Sequence, residues 1–399
     1  MTRVPPALSG RSVVHIADFS PPFATNFVSS LLNLDKAIRA QLGLRSLFVF
    51  PEQARRRPWM HQIEDAGVLV RFIEPNSSHR IRIRALKRIG KESDAVLFHS
   101  HFGTFDVDVA YAASRAGAAA IWHMHSPYPS FGQVRKRVGE RLKFVFVARA
   151  FVDCIVAVSH SVAESAVKRG GPRRRTLVVL NGIDLDRVRP VDERSRSALR
   201  ANRGVAGNAV AFLLFGWDPN RKGVDVLTRA VEIVPRLTPL PFRCFVVGRE
   251  DDPAVIAQVP GDNPFLQVLQ PVDDVRELYG LADCFVSASR AEGLPYAIGE
   301  AMASGLPVIS SNLPQVVETF GPTGRGLLSF MTGDAEDLAA AMVQILSMTP
   351  EERRHLGIQN AAYVRDHLSL DHWVEDILSV YQSVLARRFG PARQSLPAT

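Results

Sequence analysis

The chain has 399 residues, of which 46% are apolar and 22% charged. That balance excludes a largely disordered protein, and the length is comfortable for two domains. The net charge of +8 is uneven: 29 Lys and Arg stand against 15 Asp and Glu through Pro190, and 19 against 25 beyond it, so a basic half is joined to an acidic one with different partners.

Short apolar runs alternate with longer amphipathic stretches along the chain. In the first half, strands are predicted at Val13–Ala17, Ser46–Phe50, Val68–Phe72, Ala95–His99, Ala118–His123, Cys154–Ser159 and Thr176–Leu180. Helices are predicted between them at Asn26–Gln41 and Val107–Ala116. A polar, charged stretch, Val191–Asn208, reads as the interdomain linker. Strands then follow at Ala209–Phe215, Phe242–Gly248, Leu266–Leu269, Asp283–Ser287, Pro307–Ser310 and Gly326–Ser329. Helices are predicted at Lys222–Pro235, Val275–Leu281, Tyr296–Ser304 and Ala335–Leu346, and Pro350–Arg388 reads as two more. Apolar strands alternating with helices imply an α/β fold of two doubly wound parallel sheets. The expected layout is residues 1–190, a linker at 191–208, a second domain at 209–367, and a closing helix within 368–399 that packs back on the first domain. The start and the tail after Phe389 read as loose.

Phe144–Val158 is the most apolar long stretch, but Arg149 and Asp153 interrupt it, and a membrane span needs roughly 20 apolar residues. The start lacks the apolar core of a signal peptide. Cys154, Cys244 and Cys284 lie in apolar runs without disulfide or metal-ligand spacing, and a reducing cytoplasm fits them.

In doubly wound sheets, ligands bind beyond the carboxyl ends of the strands. The most informative run is Ser287–Ser310, in which a strand end is followed by a loop with Glu292 and Gly293 and then a helix opening at Pro295. Helix starts favour anions. The carboxylates Glu292 and Glu300 would repel one, so they suit the hydroxyl groups of a sugar and a ribose. The run Leu213–Ala230 again gives strand, turn and helix, with Arg221 and Lys222 at the helix start. Basic side chains there oppose the helix dipole and point to an anionic ligand.

These runs resemble glycosyltransferase family 4, of the GT-B fold. Glu292-Gly293-Leu294-Pro295, then Glu300-Ala301-Met302-Ala303, Gly305 and Pro307-Val308 follow its E-x7-E signature. Gly216, Lys222 and Gly223 resemble its element of Gly-Arg followed by Lys-Gly, with Trp217 where the arginine usually stands and four residues between it and Lys222. Asn181-Gly182-Ile183-Asp184, the strand ending in Gly248, and Asp274–Ala282 also agree with it. The resemblance implies a retaining enzyme that moves a sugar from a nucleotide sugar, a UDP-sugar by family frequency, to an acceptor hydroxyl, with the two domains facing across a cleft. Glu300 would bind the ribose and Glu292 the donor sugar. Gly293, Leu294, Pro295 and Tyr296 would line the sugar and diphosphate, beside Gly216, Trp217, Gly248, Arg221 and Lys222. Lys222, with Arg221 in place of the missing arginine, would stabilise the leaving diphosphate. No metal or other cofactor is expected. The same fold also serves sugar-nucleotide epimerases, phosphorylases and non-catalytic binding subunits.

The first half is less specific. His99, His101, His123 and His125 form two H-x-H pairs at strand ends, but no carboxylate or cysteine completes a metal-ligand set. The resemblance gives His125 a place beside the donor sugar, with His123 the alternative and His101 lining the same region. The family's glycine-rich loop after the first strand is replaced by residues Asp18 to Asn26, where Thr25 or Asn26 would have to meet phosphate. Arg80–Lys91 mixes six basic residues with Ile81, Ile83, Leu86 and Ile89, which suits an anionic membrane surface. No nucleic-acid-binding module is recognisable.

Overall fold

The computed structural model describes residues 5–22, 24–127, 134–249 and 251–390. The chain divides into two compact units, residues 1–180 with 371–399, and residues 181–370.

The first unit is built on strands β1 (Ser12–Ala17), β2 (Arg45–Pro51), β3 (Leu69–Ile73), β4 (Ala95–His101), β5 (Ala119–Met124), β6 (Cys154–Ala157) and β7 (Thr176–Val178). They form one parallel sheet in the order β3-β2-β1-β4-β5-β6-β7. Strands β1, β4, β5 and β6 are buried at every position, which is why they read as continuous apolar runs without alternation. One core includes Val14, Ile16, Phe98, Phe105 and Val109, and another Phe27, Leu31, Phe48, Phe50 and Trp59.

The second unit carries β8 (Val210–Phe215), β9 (Phe242–Val247), β10 (Leu266–Leu269), β11 (Cys284–Ser287), β12 (Val308–Ser311) and β13 (Leu327–Phe330). Their order is β10-β9-β8-β11-β12-β13, again all parallel. The helix Val224–Leu237 buries Leu227, Val231 and Val234 in a core shared with Phe212, Val246, Leu338 and Met342. The strand expectations hold throughout, to within a few residues at their ends.

The domain boundary differs from the expected one. The division falls between Leu180 and Asn181, not at Pro190. The stretch expected as linker folds into the helix Glu193–Asn202, capped by Asp192. Arg196 and Arg200 on that helix hold the two oxygens of Asp283 at 2.5 and 2.7 Å, and Arg196 also donates to the Gly280 and Ala282 carbonyls. Its charges are therefore internal fasteners. Two passes of the chain pair near the boundary: Ile183 N–H donates to the Leu368 carbonyl, and Leu370 N–H to that of Ile183.

The closing helix, Leu370–Phe389, lies almost wholly in the first unit. Its Tyr381 hydroxyl meets His99 Nδ1 at 2.6 Å, and Arg388 reaches Asp153. Of the ends expected to be loose, residues 1–4 and 391–399 lie outside the described residues, whereas Pro6–Leu8 form a short helical turn with Leu8 buried. Among the described residues, no helix is long and apolar enough to cross a membrane. Cys154, Cys244 and Cys284 are free and buried.

Candidate functional site

The second unit brings its motif residues together beyond the ends of β8 and β11. After β8, Gly216 and Trp217 lead to Asp218, which caps the short helix Pro219–Lys222. Gly223 then reverses the chain at φ +69°, and a Cβ there would lie 2.1 Å from the Ala288 carbonyl oxygen. Only glycine allows this close approach. It sets the basic turn against the loop after β11.

Across that contact, Lys222 Nζ meets Glu292 Oε1 at 2.5 Å, with both side chains about nine-tenths buried. Arg221 Nη1 lies 3.3 Å from Glu292 Oε2, and the Ser289 hydroxyl donates to Oε1 at 2.8 Å. Burial alone would raise the Glu292 carboxyl. Lys222 and Arg221, with hydrogen bonds from Lys222 and Ser289, outweigh it and hold the group below its ordinary value. Lys222 also lies 5.6 Å from the Trp217 ring centroid, in cation–π range. Trp217 thus covers the ammonium group at the position where the family resemblance expects an arginine. Arg290 locks the two segments further through a paired contact with Asp225, 2.8 Å at each oxygen.

The helix expected over Tyr296–Ser304 starts where expected. Pro295 is its cap, with ψ 115°, and the helix runs Tyr296–Ala303. Gly293 and Leu294 form the approach to it, and the Leu294 carbonyl accepts from Asn181 Nδ2 at 2.9 Å. Glu300 is buried, with Arg187 on Oε1 at 2.8 Å and the Tyr279 hydroxyl on Oε2 at 2.9 Å. Each carboxylate oxygen has two lone pairs, so acceptor capacity remains after these bonds. Burial pushes the Tyr279 hydroxyl well above its ordinary value, and the charge of Glu300 adds to the push. A Cβ on Gly299 would stand 2.6 Å from Ile183 Cδ1, so any larger residue there would have to displace that side chain. Gly248 follows β9 and donates its N–H to the Leu269 carbonyl.

Sequence reasoning missed Arg187, Tyr279 and Ser289. The Asn-Gly-Ile-Asp motif pointed near Arg187, and Tyr279 stood in the Asp274–Ala282 element. Ser289 carried no signal.

In the first unit, His101, His123 and His125 do come together. The parallel register aligns His15 with His99 and His101 with His123, and the two-residue strand period turns them to one face. His15 belongs to this cluster and was missed, being one polar residue in an apolar strand. His101 Nδ1 lies 3.2 Å from His125 Nε2. Burial lowers His15 and His125 to about 3, and lowers His99, His101 and His123 well below the ordinary value, with neighbouring imidazoles adding to the effect on these three. The loop candidates for phosphate contact are otherwise engaged: Thr25 caps the helix Asn26–Ala37, and Asn26 is fully buried beside Ser30.

Arg80–Lys91 lies on the helix His79–Glu92. Arg82 is buried against Asp108 at 2.6 Å, and Leu86 and Ile89 enter the core. Arg80, Arg84, Lys87, Arg88 and Lys91 remain exposed with Ile81.

Two doubly wound parallel sheets, of seven and six strands, give the chain the fold of the GT-B class. Residues 209–348 match the model described as glycosyl transferases group 1, and residues 31–187 match that of glycosyltransferase family 4. The chain belongs to the family 4 glycosyltransferases. It is 24% identical over 258 residues to the alpha-galactosylglucosyldiacylglycerol synthase of Streptococcus pneumoniae, covering 60% of this chain and 68% of the relative. It is 26% identical over 322 residues to the alpha-maltose-1-phosphate synthase of Mycolicibacterium smegmatis, covering 75% and 82%. Among solved structures, Anabaena HepE, crystallised with UDP and glucose, superposes with a TM-score of 0.79 at 18% identity, over 94% of this chain and all of that one.

Proposed function

We propose that the second unit binds a UDP-sugar and that the enzyme transfers the sugar with retention to an acceptor hydroxyl bound by the first unit. The observation that carries this reading is the buried Lys222–Glu292 pair with Arg221 beside it. On diphosphate binding, Lys222 and Arg221 take up the charge that grows on the leaving group, a role suited to preorganised cations in a dry site. No metal is called for at the donor. Glu292 then accepts from the sugar hydroxyls, and the remaining lone pairs of Glu300 accept from the ribose. Retention follows if the acceptor attacks from the leaving-group side and the departing phosphate takes its proton. UDP is favoured because the HepE structures hold UDP and UDP-glucose. The two relatives are named for their products, a glycolipid and a sugar phosphate.

The test is a panel of nucleotide sugars, with and without acceptor extracts, followed by nucleoside diphosphate release. Release from a UDP-sugar that falls in Glu300→Ala and Lys222→Ala is expected. Full activity in both variants, or turnover with a different base alone, overturns the reading. Anomeric analysis of the product by NMR reads the stereochemistry.

A further inference from the structure

Five histidines face one another in the first unit, and their ring nitrogens are largely unpaired. His15 Nδ1 and Nε2, His99 Nε2, His101 Nε2, and both nitrogens of His123 are buried without a hydrogen-bond partner. Buried polar atoms without partners are rare in folded proteins and ask for an explanation, an ion or a water among them. Leaving each unpaired costs on the order of 1–3 kcal/mol. A sheet that repeats this four times on adjacent strands has a reason to keep the rings.

We propose that His15, His99 and His101 form a binding site for a divalent transition metal of the zinc class. Their ligand atoms lie within 4.8 Å of one another, and all three residues are fully buried. A tetrahedral ion with bonds of about 2.0–2.1 Å needs nitrogens roughly 3.3 Å apart, so binding would draw the three rings closer together. The donor set decides the metal class. Three imidazoles without a carboxylate suit zinc, cobalt, nickel or copper and exclude calcium and magnesium, which take oxygen. A fourth position remains for water or hydroxide.

The surroundings fit this choice. In metal sites a ligating histidine is held through its other nitrogen, which fixes ring and tautomer. His99 Nδ1 is held by the Tyr381 hydroxyl at 2.6 Å, leaving Nε2 as the ligand. His101 Nδ1 is held by His125 Nε2 at 3.2 Å, again leaving Nε2. A second set, His101, His123 and His125, also comes within 4.8 Å, but it is less buried. It would also draw on His125, whose Nε2 already bonds His101. An ion on the first set would fasten β1 to β4 at the middle of the sheet.

The experiment uses the full untagged chain, stripped with chelator and titrated with Co²⁺ and then Zn²⁺, with no nucleotide or acceptor present. The expected result is about one equivalent of metal that survives gel filtration, tetrahedral Co²⁺ absorption bands, and a melting temperature raised by a few degrees. His15→Phe and His99→Gln should each abolish tight binding, and Tyr381→Phe should weaken it about 10-fold. Circular dichroism shows whether each variant folds. Should one fail, the other carries the test. Metal that stays bound in a folded His15→Phe or His99→Gln protein overturns the proposal. So does a folded wild-type chain that retains no ion, or binding that is lost in His123→Phe but kept in His15→Phe.

Discussion

Both units bury a polar cluster towards the carboxyl ends of their strands, and they solve the problem of burial in opposite ways. In the second unit, Lys222, Arg221 and Ser289 surround Glu292, while Arg187 and Tyr279 hold Glu300. Its buried carboxylates are paired, so each charge depends on another. In the first unit, burial favours the neutral form of His15, His99, His101 and His123, and ring nitrogens of all four are unpaired. Charge that must stay ionised is buried only with partners, whereas imidazole can be buried by giving up its proton. The first arrangement makes stability and chemistry inseparable. The second separates them, because a ring can be replaced without stranding a charge.

That contrast can be broken by substitution. The largest effect is expected for Lys222→Ala, which leaves the buried Glu292 to the more exposed Arg221 and to Ser289. Removing one partner of a buried pair costs about 3–5 kcal/mol, to be read from urea unfolding. Nucleotide-sugar turnover should fall by about 10²–10³-fold, as for other lost charge-stabilising donors. Lys222→Met combined with Glu292→Leu should recover most of the stability and none of the activity. A Lys222→Ala protein as stable as the parent would show that the pair is not a structural unit.

A smaller effect is expected in the pH dependence. The folded Glu292 carboxyl is held below its ordinary value of 4.5, so its contribution is present above that value. It is lost as pH falls through the lower folded value. Glu292→Gln should therefore lose less stability than the parent on acidification below about pH 4.5. Equal acid losses in the two proteins would remove Glu292 from this account. The smallest effect is expected for His123→Phe in metal-free protein. It exchanges two unpaired nitrogens for an apolar ring of similar shape, so stability should stay within about 1 kcal/mol of the parent or rise. A loss as large as that of Lys222→Ala would erase the contrast between the clusters.

The strands were legible because burial on both faces leaves little but apolar residues in them, as in Val210–Phe215. The helix Glu193–Asn202 was not, because none of its residues is buried and its arginines act on Asp283, more than eighty positions away. The same limit applies at the site. The motif pointed to Glu292, Glu300 and Lys222 separately, but the pairing of Lys222 with Glu292 spans 70 residues and that of Arg187 with Glu300 spans 113. Such partners are brought together by strand order, which local pattern does not encode. His15 was hidden for a related reason. One histidine in an apolar strand gains meaning only when the register sets it beside His99.

The first unit is discontinuous in sequence, since residues 371–390 complete a body begun by residues 5–180. During synthesis, the sheet of that unit leaves the ribosome long before the helix that supplies Tyr381 to His99. Its histidine face must wait, uncovered by that helix, while the entire second unit is made. The N-terminal half therefore cannot finish folding first, the usual order for a chain of two domains. A chain cut short after Leu370 would keep every residue of the second unit and lack the helix that completes the first, so premature termination would fall on the body that the chain begins with.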